Sequence, residues 1–265
     1  MNRIEQRFQD LRAKGETAFI PYITAGHPSL EQTERIVLAL EAAGADVIEF
    51  GIPFSDPVGD GPVIQDAAQQ AIARGASLRT VLALIKRLRE KTQVPILLFS
   101  YFNPVLAYGI QAFARDAAEA GADGVLCVDL PPEEAGEYKA ALDANGLCTV
   151  FLIAPTSTDE RIERIARACT GFIYYVSRLG VTGERSSLAA DLNDALARIH
   201  RHTDKPVAVG FGISTPEQAR QVAGLAEGVV VGSAIVRVVA QAGEGPDAAE
   251  TVRVFTQELV RAAKQ

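Results

Sequence analysis

Apolar residues along this chain gather into short runs rich in β-branched and aromatic side chains: AFIPYI (18–23), DVIEFG (46–51), PILLFSY (95–101), GVLCVDL (124–130), CTVFLI (148–153), FIYYVS (172–177), PVAVGF (206–211) and GVVVGS (228–233). Nearly continuous apolar character over so few residues predicts strands covered on both faces. Between the runs, apolar positions recur at spacings of three and four, the period of an amphipathic helix, in LEQTERIVLALEAAG, SLRTVLALIKRLREK, IQAFARDAAEAG, EEAGEYKAALDANG, DERIERIARAC, LNDALARIH and PEQARQVAGLA. The charged opening MNRIEQRFQDLRAKGE reads as one more such helix. Several helical segments end in Gly just before the next strand, the usual helix C-cap.

Eight alternating strand and helix units predict an α/β protein, a single (β/α)8 barrel spanning residues 1–265 with an extra N-terminal helix. The phrase AGAD at Ala43–Asp46 returns at Ala120–Asp123, each time closing a helix and opening a strand, as a repeated βα unit would. A doubly wound open sheet is the alternative, but the first strand is not followed by a GxGxxG turn. Two connections exceed what a barrel needs, residues 52–62 after the second strand and 178–190 after the sixth. Both follow strand C-termini, the end of a barrel where catalytic loops sit.

Composition narrows the function classes. Hydrophobic residues make up 48% of the chain and charged residues 22%, which suits a globular protein. The formal net charge of −7 argues against nucleic acid, whose phosphates need a basic face. No apolar stretch is long enough to span a membrane and no secretory leader pattern opens the chain, so a cytoplasmic protein is expected. Cys127, Cys148 and Cys169 lie in or beside apolar runs without a CxxC motif and read as buried free thiols. His27, His200 and His202 lack ligand spacing, so no metal site is expected, and the last two read as a solvated helix end.

Within DVIEFG, alternation puts Val47, Glu49 and Gly51 on one side and Ile48 and Phe50 on the other. If the bulky pair packs on helices, Glu49 points into the barrel mouth. The neighbouring first and third strands hold no Lys or Arg to neutralise it, and a buried carboxyl without a cation is driven toward a near-neutral pKa, as a general acid/base requires. Asp60 sits in GDG, where an Asp can equally well cap its own turn, but the loop also holds Phe54, Ser55, Asp56 and Pro57, which is rich for an idle connector. Near the C-terminus, VGFGISTPEQ leaves the seventh strand through Gly210 and Gly212 into a helix whose start is read as a Ser214–Glu217 capping box. VVVGSAIV leaves the eighth strand through Gly232 and Ser233. Glycines before helix starts at these two places predict a phosphate site.

Taken together, PYITAGHPSLEQT, EFGIPFSDPVGDGPVIQ, SYFNPV, VDLPPEE, IAPTS, YYVSRLGVTGERSS, GFGISTPEQ and GSAIV resemble the tryptophan synthase α subunit family over nearly the whole chain. GIPFSDPVGDGP is the most specific of these motifs; His27 stands where the family more often has Asp. The resemblance implies a lyase that splits indole-3-glycerol phosphate into indole and glyceraldehyde 3-phosphate, with Glu49 as acid/base and Asp60 accepting the indole N–H. It places the phosphate on Gly183, Gly212, Gly232 and Ser233, with Phe211 beside it. Tyr174 matches a tyrosine near the acid/base, and Thr182 one that bonds Asp60 when the loop SRLGVTGERSS closes over the mouth. Tyr22, Phe99 and Tyr101 would line an indole pocket, although strand aromatics are also ordinary core. The implied partner is a β subunit in an α2β2 assembly, met through Pro53, Asp56, Pro57 and Asn103. Pyridoxal phosphate is expected in that partner and no cofactor in this chain. Two rivals are another phosphate-binding barrel enzyme, which would normally need a strand-end lysine that these runs lack, and a barrel that only activates the partner, which the acid pair argues against.

Overall fold

The computed structural model describes residues 1–177, 185–210 and 212–265, without the side chains of 185–190. Helix α1 (Arg3–Lys14) leads into β1 (Ala18–Thr24), followed by α2 (Leu30–Ala42), β2 (Ile48–Gly51), α3 (Pro62–Ala73) and α4 (Leu78–Leu88). Next come β3 (Ile96–Ser100), α5 (Phe102–Tyr108), α6 (Ile110–Ala120), β4 (Gly124–Cys127) and α7 (Gly136–Ala144). Then follow β5 (Cys148–Val150), β6 (Leu152–Ile153), α8 (Asp159–Ala168), β7 (Ile173–Val176) and α9 (Arg185–His200). The chain finishes with β8 (Val207–Gly210), α10 (Pro216–Ala223), β9 (Gly228–Val231), α11 (Ser233–Ala242) and α12 (Ala248–Ala263).

All strand pairs are parallel, in the order β5-β4-β3-β2-β1-β9-β8-β7-β6. The two ends of that order, β5 and β6, are consecutive in the chain with only Phe151 between them. CTVFLI is therefore one strand interrupted at Phe151, pairing with β4 before the break and β7 after it, and the sheet closes as the predicted barrel. The N–H of Phe151 donates to Cys169 Sγ at 3.3 Å while its carbonyl accepts from Tyr174 N–H at 3.2 Å, so the break leaves neither group idle. Helices α3, α5 and α12 were not among the predicted elements. Helix α3 buries only Ala67, Ala68 and Ala71, which give a weak apolar period, and α5 is too short to show one.

Strand alternation separates two cores. Ile48, Phe50, Ile96, Leu98, Val209 and Val231 face the surrounding helices. Ile20, Val47, Leu97, Leu126, Val150, Ala208 and Val230 fill the barrel. Helix α1 contributes Ile4, Phe8 and Leu11 to this inner cluster, and Phe8 packs on Phe172 with ring centroids 5.3 Å apart. Each such fully buried side chain is worth roughly 1.5–3 kcal/mol, so α1 acts as a stopper at the strands' N-terminal end.

That end carries a fourfold device. Backbone N–H groups of Phe19, Ile96, Thr149 and Val207 donate to the side chains of Asp46, Asp123, Thr170 and Glu227, each at 2.8 Å. The two AGAD phrases supply the first two of these acceptors. Asp46 is ion-paired with Lys264 at 3.0 Å, and Asp123 with Arg3 at 2.6 Å and Arg89 at 2.8 Å. The three cysteines are buried and free. His200 and His202 differ from the solvated pair expected: each is half-buried, facing Glu227 at 3.3 Å and Asp159 at 3.6 Å, because the end of α9 folds against neighbouring connections. No helix among the described residues is long and apolar enough to cross a membrane.

Candidate active site

Glu49 lies in the middle of β2, in register with Tyr22 of β1 and Leu97 of β3, and points into the barrel with 1% of its surface exposed. Its Oε1 has no hydrogen-bond partner, and no ion pair among the described residues includes it. Burial first, and the Asp60 charge second, push its carboxyl up to about 8. Asp46, two residues before β2, shows what a structural carboxylate looks like in the same segment: it is as deeply buried but saturated by a backbone donor and a lysine. Among the described residues Glu49 has neither.

The chain leaves β2 through Gly51, and Ile52 N–H donates to Phe99 O at 2.8 Å, so the following loop starts anchored on β3. Asp60 N–H donates to Pro57 O at 3.0 Å, and Gln65 Nε2 reaches back to Asp60 O at 2.8 Å. The Asp60 carboxylate does not cap its own turn: its Oδ2 accepts from Tyr101 Oη at 3.1 Å. Burial raises its pKa to about 6, with the Tyr101 hydrogen bond pulling the other way.

The predicted aromatic residues gather around this pair. Tyr22 meets Phe99 edge-on with centroids 5.3 Å apart, and Phe54, which the indole-pocket prediction left out, packs on Tyr101 at 5.2 Å. Tyr174, on the far side of the barrel, is buried, and its hydroxyl pKa is raised by burial first and by Glu49 next. Gly212 has φ +82°, a left-handed conformation natural to glycine, and is exposed. Helix α11 starts at Ser233 with Gly232 as an N-cap that offers no side-chain hydrogen bond, which leaves its first N–H groups available to an anion. The α10 cap is displaced from the predicted position. Thr215 is the N-cap and Gln218 its partner, because Pro216 takes the first helical position and moves the cap to the residue before it. Ser214 still joins this cap, donating from N–H and Oγ to Gln218 Oε1.

Thr182, Gly183 and Phe211 lie outside the described residues. Of the four predicted interface residues, Asp56 and Asn103 are exposed while Pro53 and Pro57 are buried and shape the loop from beneath. Sequence reasoning missed the supporting roles of Gly51, Gly59 and Gln65; only Gly51, on the same face as Glu49, carried a signal. A separate groove of about 900 Å3 runs between α1 and the N-terminal rim, at the other end of the barrel. Part of its charged lining is already engaged, Glu227 by Val207 N–H and His200, Lys205 by the Ala166 carbonyl.

The family model described as tryptophan synthase alpha chain matches residues 8–264. The chain belongs to the tryptophan synthase α chain family. The tryptophan synthase α chain of Citrifermentans bemidjiense is 56% identical over 237 residues, 89% of each chain. That of Solibacter usitatus is 49% identical over 261 residues, 98% of each. Among solved structures, tryptophan synthase subunit α from Legionella pneumophila str. Paris superimposes with a TM-score of 0.92 at 38% identity, covering 99% of this chain and 98% of that one. A chain of M. tuberculosis tryptophan synthase in its aminoacrylate-bound form gives 0.89 at 34% identity with both chains fully covered. The chain is thus a lyase of tryptophan biosynthesis, built on the barrel its sequence predicts.

Proposed function

We propose that Glu49 and Asp60 together carry the retro-aldol cleavage of indole-3-glycerol phosphate to indole and glyceraldehyde 3-phosphate. The observation that carries this reading is that Glu49, buried and without a cation among the described residues, shares the barrel mouth with Asp60, whose carboxylate Tyr101 holds. Burial pushes the two carboxyls up to about 8 and about 6, which favours a protonated Glu49 beside an ionised Asp60 near neutrality. Protonated Glu49 gives its proton to indole C3, which moves positive charge onto the ring nitrogen. The Asp60 carboxylate accepts the ring N–H and opposes that charge. At about 4 Å and an effective dielectric near 20 the attraction is roughly 4 kcal/mol before desolvation, on the order of a thousandfold in rate. Ionised Glu49 then takes the proton of the hydroxyl on the carbon bonded to C3. The C–C bond breaks, its electron pair restores the indole, the aldehyde forms, and Glu49 ends protonated as it began.

The glycines and free N–H groups at Gly212, Gly232 and Ser233, with Gly183 of the loop after β7, would hold the phosphate. Tyr22, Phe99 and Tyr101 would wall the indole, with Tyr174 near Glu49 and Phe211 beside the phosphate. The likeness to a chain of M. tuberculosis tryptophan synthase supports a β-subunit partner. An α2β2 assembly in the cytoplasm is part of this proposal, with the partner met through the surface around the exposed Asp56 and Asn103 and the buried Pro53 and Pro57 behind it. The cleavage steps draw only on this chain's side chains, and pyridoxal phosphate is assigned to the partner. Glu49→Gln, nearly isosteric, is expected to lower indole release from indole-3-glycerol phosphate by about a thousandfold or more with the fold retained. Retention of a tenth of the wild-type rate would remove Glu49 from the chemistry. Asp60→Asn is expected to be severe while substrate still binds.

A further inference from the structure

Tyr101 closes β3 and caps α5, where its side chain makes no cap bond. It is 3% exposed, its ring packs on Phe54, and its one hydroxyl does two things. It accepts from Gly59 N–H at 2.9 Å and donates to Asp60 Oδ2 at 3.1 Å. These bonds reach two consecutive residues of the loop, one through the main chain and one through the carboxylate. We propose that Tyr101 is the positioning residue for Asp60, fastening loop and carboxylate to the end of β3, rather than only a wall of the indole pocket. The proposal rests on the reading of Asp60 given above.

The direction of the bonds is set by what each partner has to offer. Gly59 N–H can only donate, so it takes a lone pair of the phenol oxygen and leaves the phenol's single proton for Asp60. The ties from Gln65 Nε2 to the Pro57 and Asp60 carbonyls hold backbone alone and leave the Asp60 carboxylate to Tyr101. A Cβ on Gly59 would stand 3.2 Å from the Tyr101 hydroxyl, so glycine keeps this approach open. Among the described residues, the other titratable groups around Asp60 are Glu49 on β2, Tyr22 on β1 and Tyr174 on β7, with Asp129 on the far side of Tyr101, and none of these carries positive charge. The phenol of Tyr101, held protonated by burial and by Asp60, is the group that favours ionised Asp60 against its burial.

The test is Tyr101→Phe, which keeps the ring and its packing on Phe54. Titration of the Asp60 carboxyl by 13C NMR in the ligand-free chain is expected to move upward by about one pH unit, the loss of one hydrogen bond to a charged group. The acid limb of kcat/KM is expected to follow it, with a rate loss of about tenfold or more at neutral pH. An unmoved Asp60 titration and acid limb, whatever happens to melting temperature, would overturn the proposal. If Asp60→Asn in the same assay is harmless, the reading of Asp60 fails and takes this proposal with it; if it is severe while Tyr101→Phe moves nothing, only the positioning role falls. Should Tyr101→Phe not fold, Gly59→Ala disturbs the same hydroxyl with the ring intact and is read in the same titration, where an unmoved curve again refutes the role.

Discussion

The ring of Tyr22 lies so close across Gly51 that a Cβ there would stand 2.2 Å from the tyrosine hydroxyl. Tyr174 stands in the same relation to Gly210, again at 2.2 Å. In both cases an inward tyrosine leans over the glycine that ends the next strand. Each ring needs the missing side chain to reach the mouth beside Glu49.

Gly51→Ala should therefore act on the site rather than on the fold. The ring of Tyr22 must swing away from a methyl group it cannot accommodate, which disturbs the groups around Glu49. A fall of about a hundredfold in indole release is expected, with far-UV circular dichroism unchanged; a near-normal rate would show that the ring has other room. A near-attack geometry lost by about 1 Å is enough for such a fall.

Stability should depend on pH through Glu49. Its folded-state pKa, about 8, lies above the ordinary 4.5, so between those values the folded chain holds a proton that the unfolded chain releases. Unfolding is then favoured as pH rises through that window, by about 1.4 kcal/mol for each pH unit crossed. Glu49→Gln removes the penalty. Its melting temperature is expected to exceed that of the wild type at pH 9 and to match it closely at pH 5, in parallel thermal melts; an equal difference at both values would mean that Glu49 is not held protonated.

Ser233 opens α11 beside an N-cap without a side-chain bond. Ser233→Asp would put a carboxylate at the first helical position, on the N–H groups assigned to phosphate, where its charge suits the helix N-terminus. Substrate KM is expected to rise at least about tenfold with thermal stability unchanged or higher, and competition by inorganic phosphate to disappear. Unaltered phosphate competition would move the anion elsewhere.

At the opposite rim, Asp123 accepts from Ile96 N–H and pairs with Arg3 and Arg89, the latter 11% exposed. Asp123→Ala leaves the Ile96 N–H without its acceptor and the largely buried Arg89 guanidinium without a counter-charge, bonded only to the Gly121 and Val94 carbonyls, a loss of roughly 3–5 kcal/mol in denaturant melts. Lyase activity below the melting range should survive, since this rim is remote from Glu49. A loss below about 1 kcal/mol would mean that the carbonyls of Gly121 and Val94 suffice for the Arg89 charge.

Strand runs and most helices were legible because their signals are local: β-branched apolar runs, periods of three and four, and the alternation that aimed Glu49 inward needed no knowledge of the rest of the chain. The motif GIPFSDPVGDGP carried the family. Helix α3 was not legible, since alanines bury a face without announcing it, and the cap of α10 was misplaced by one residue because Pro216 outranked the nearer serine. What sequence left open was which buried carboxylate meets a cation. Asp46 and Glu49 stand three residues apart in one apolar run, yet Lys264, from the far end of the chain, neutralises the first, while among the described residues no cation pairs with the second inside the closed barrel. Asp60 likewise read as turn-former or site residue until Tyr101 was seen to hold its carboxylate. Charge state in a protein interior depends on contacts between segments distant in sequence, and those are set only when the barrel closes.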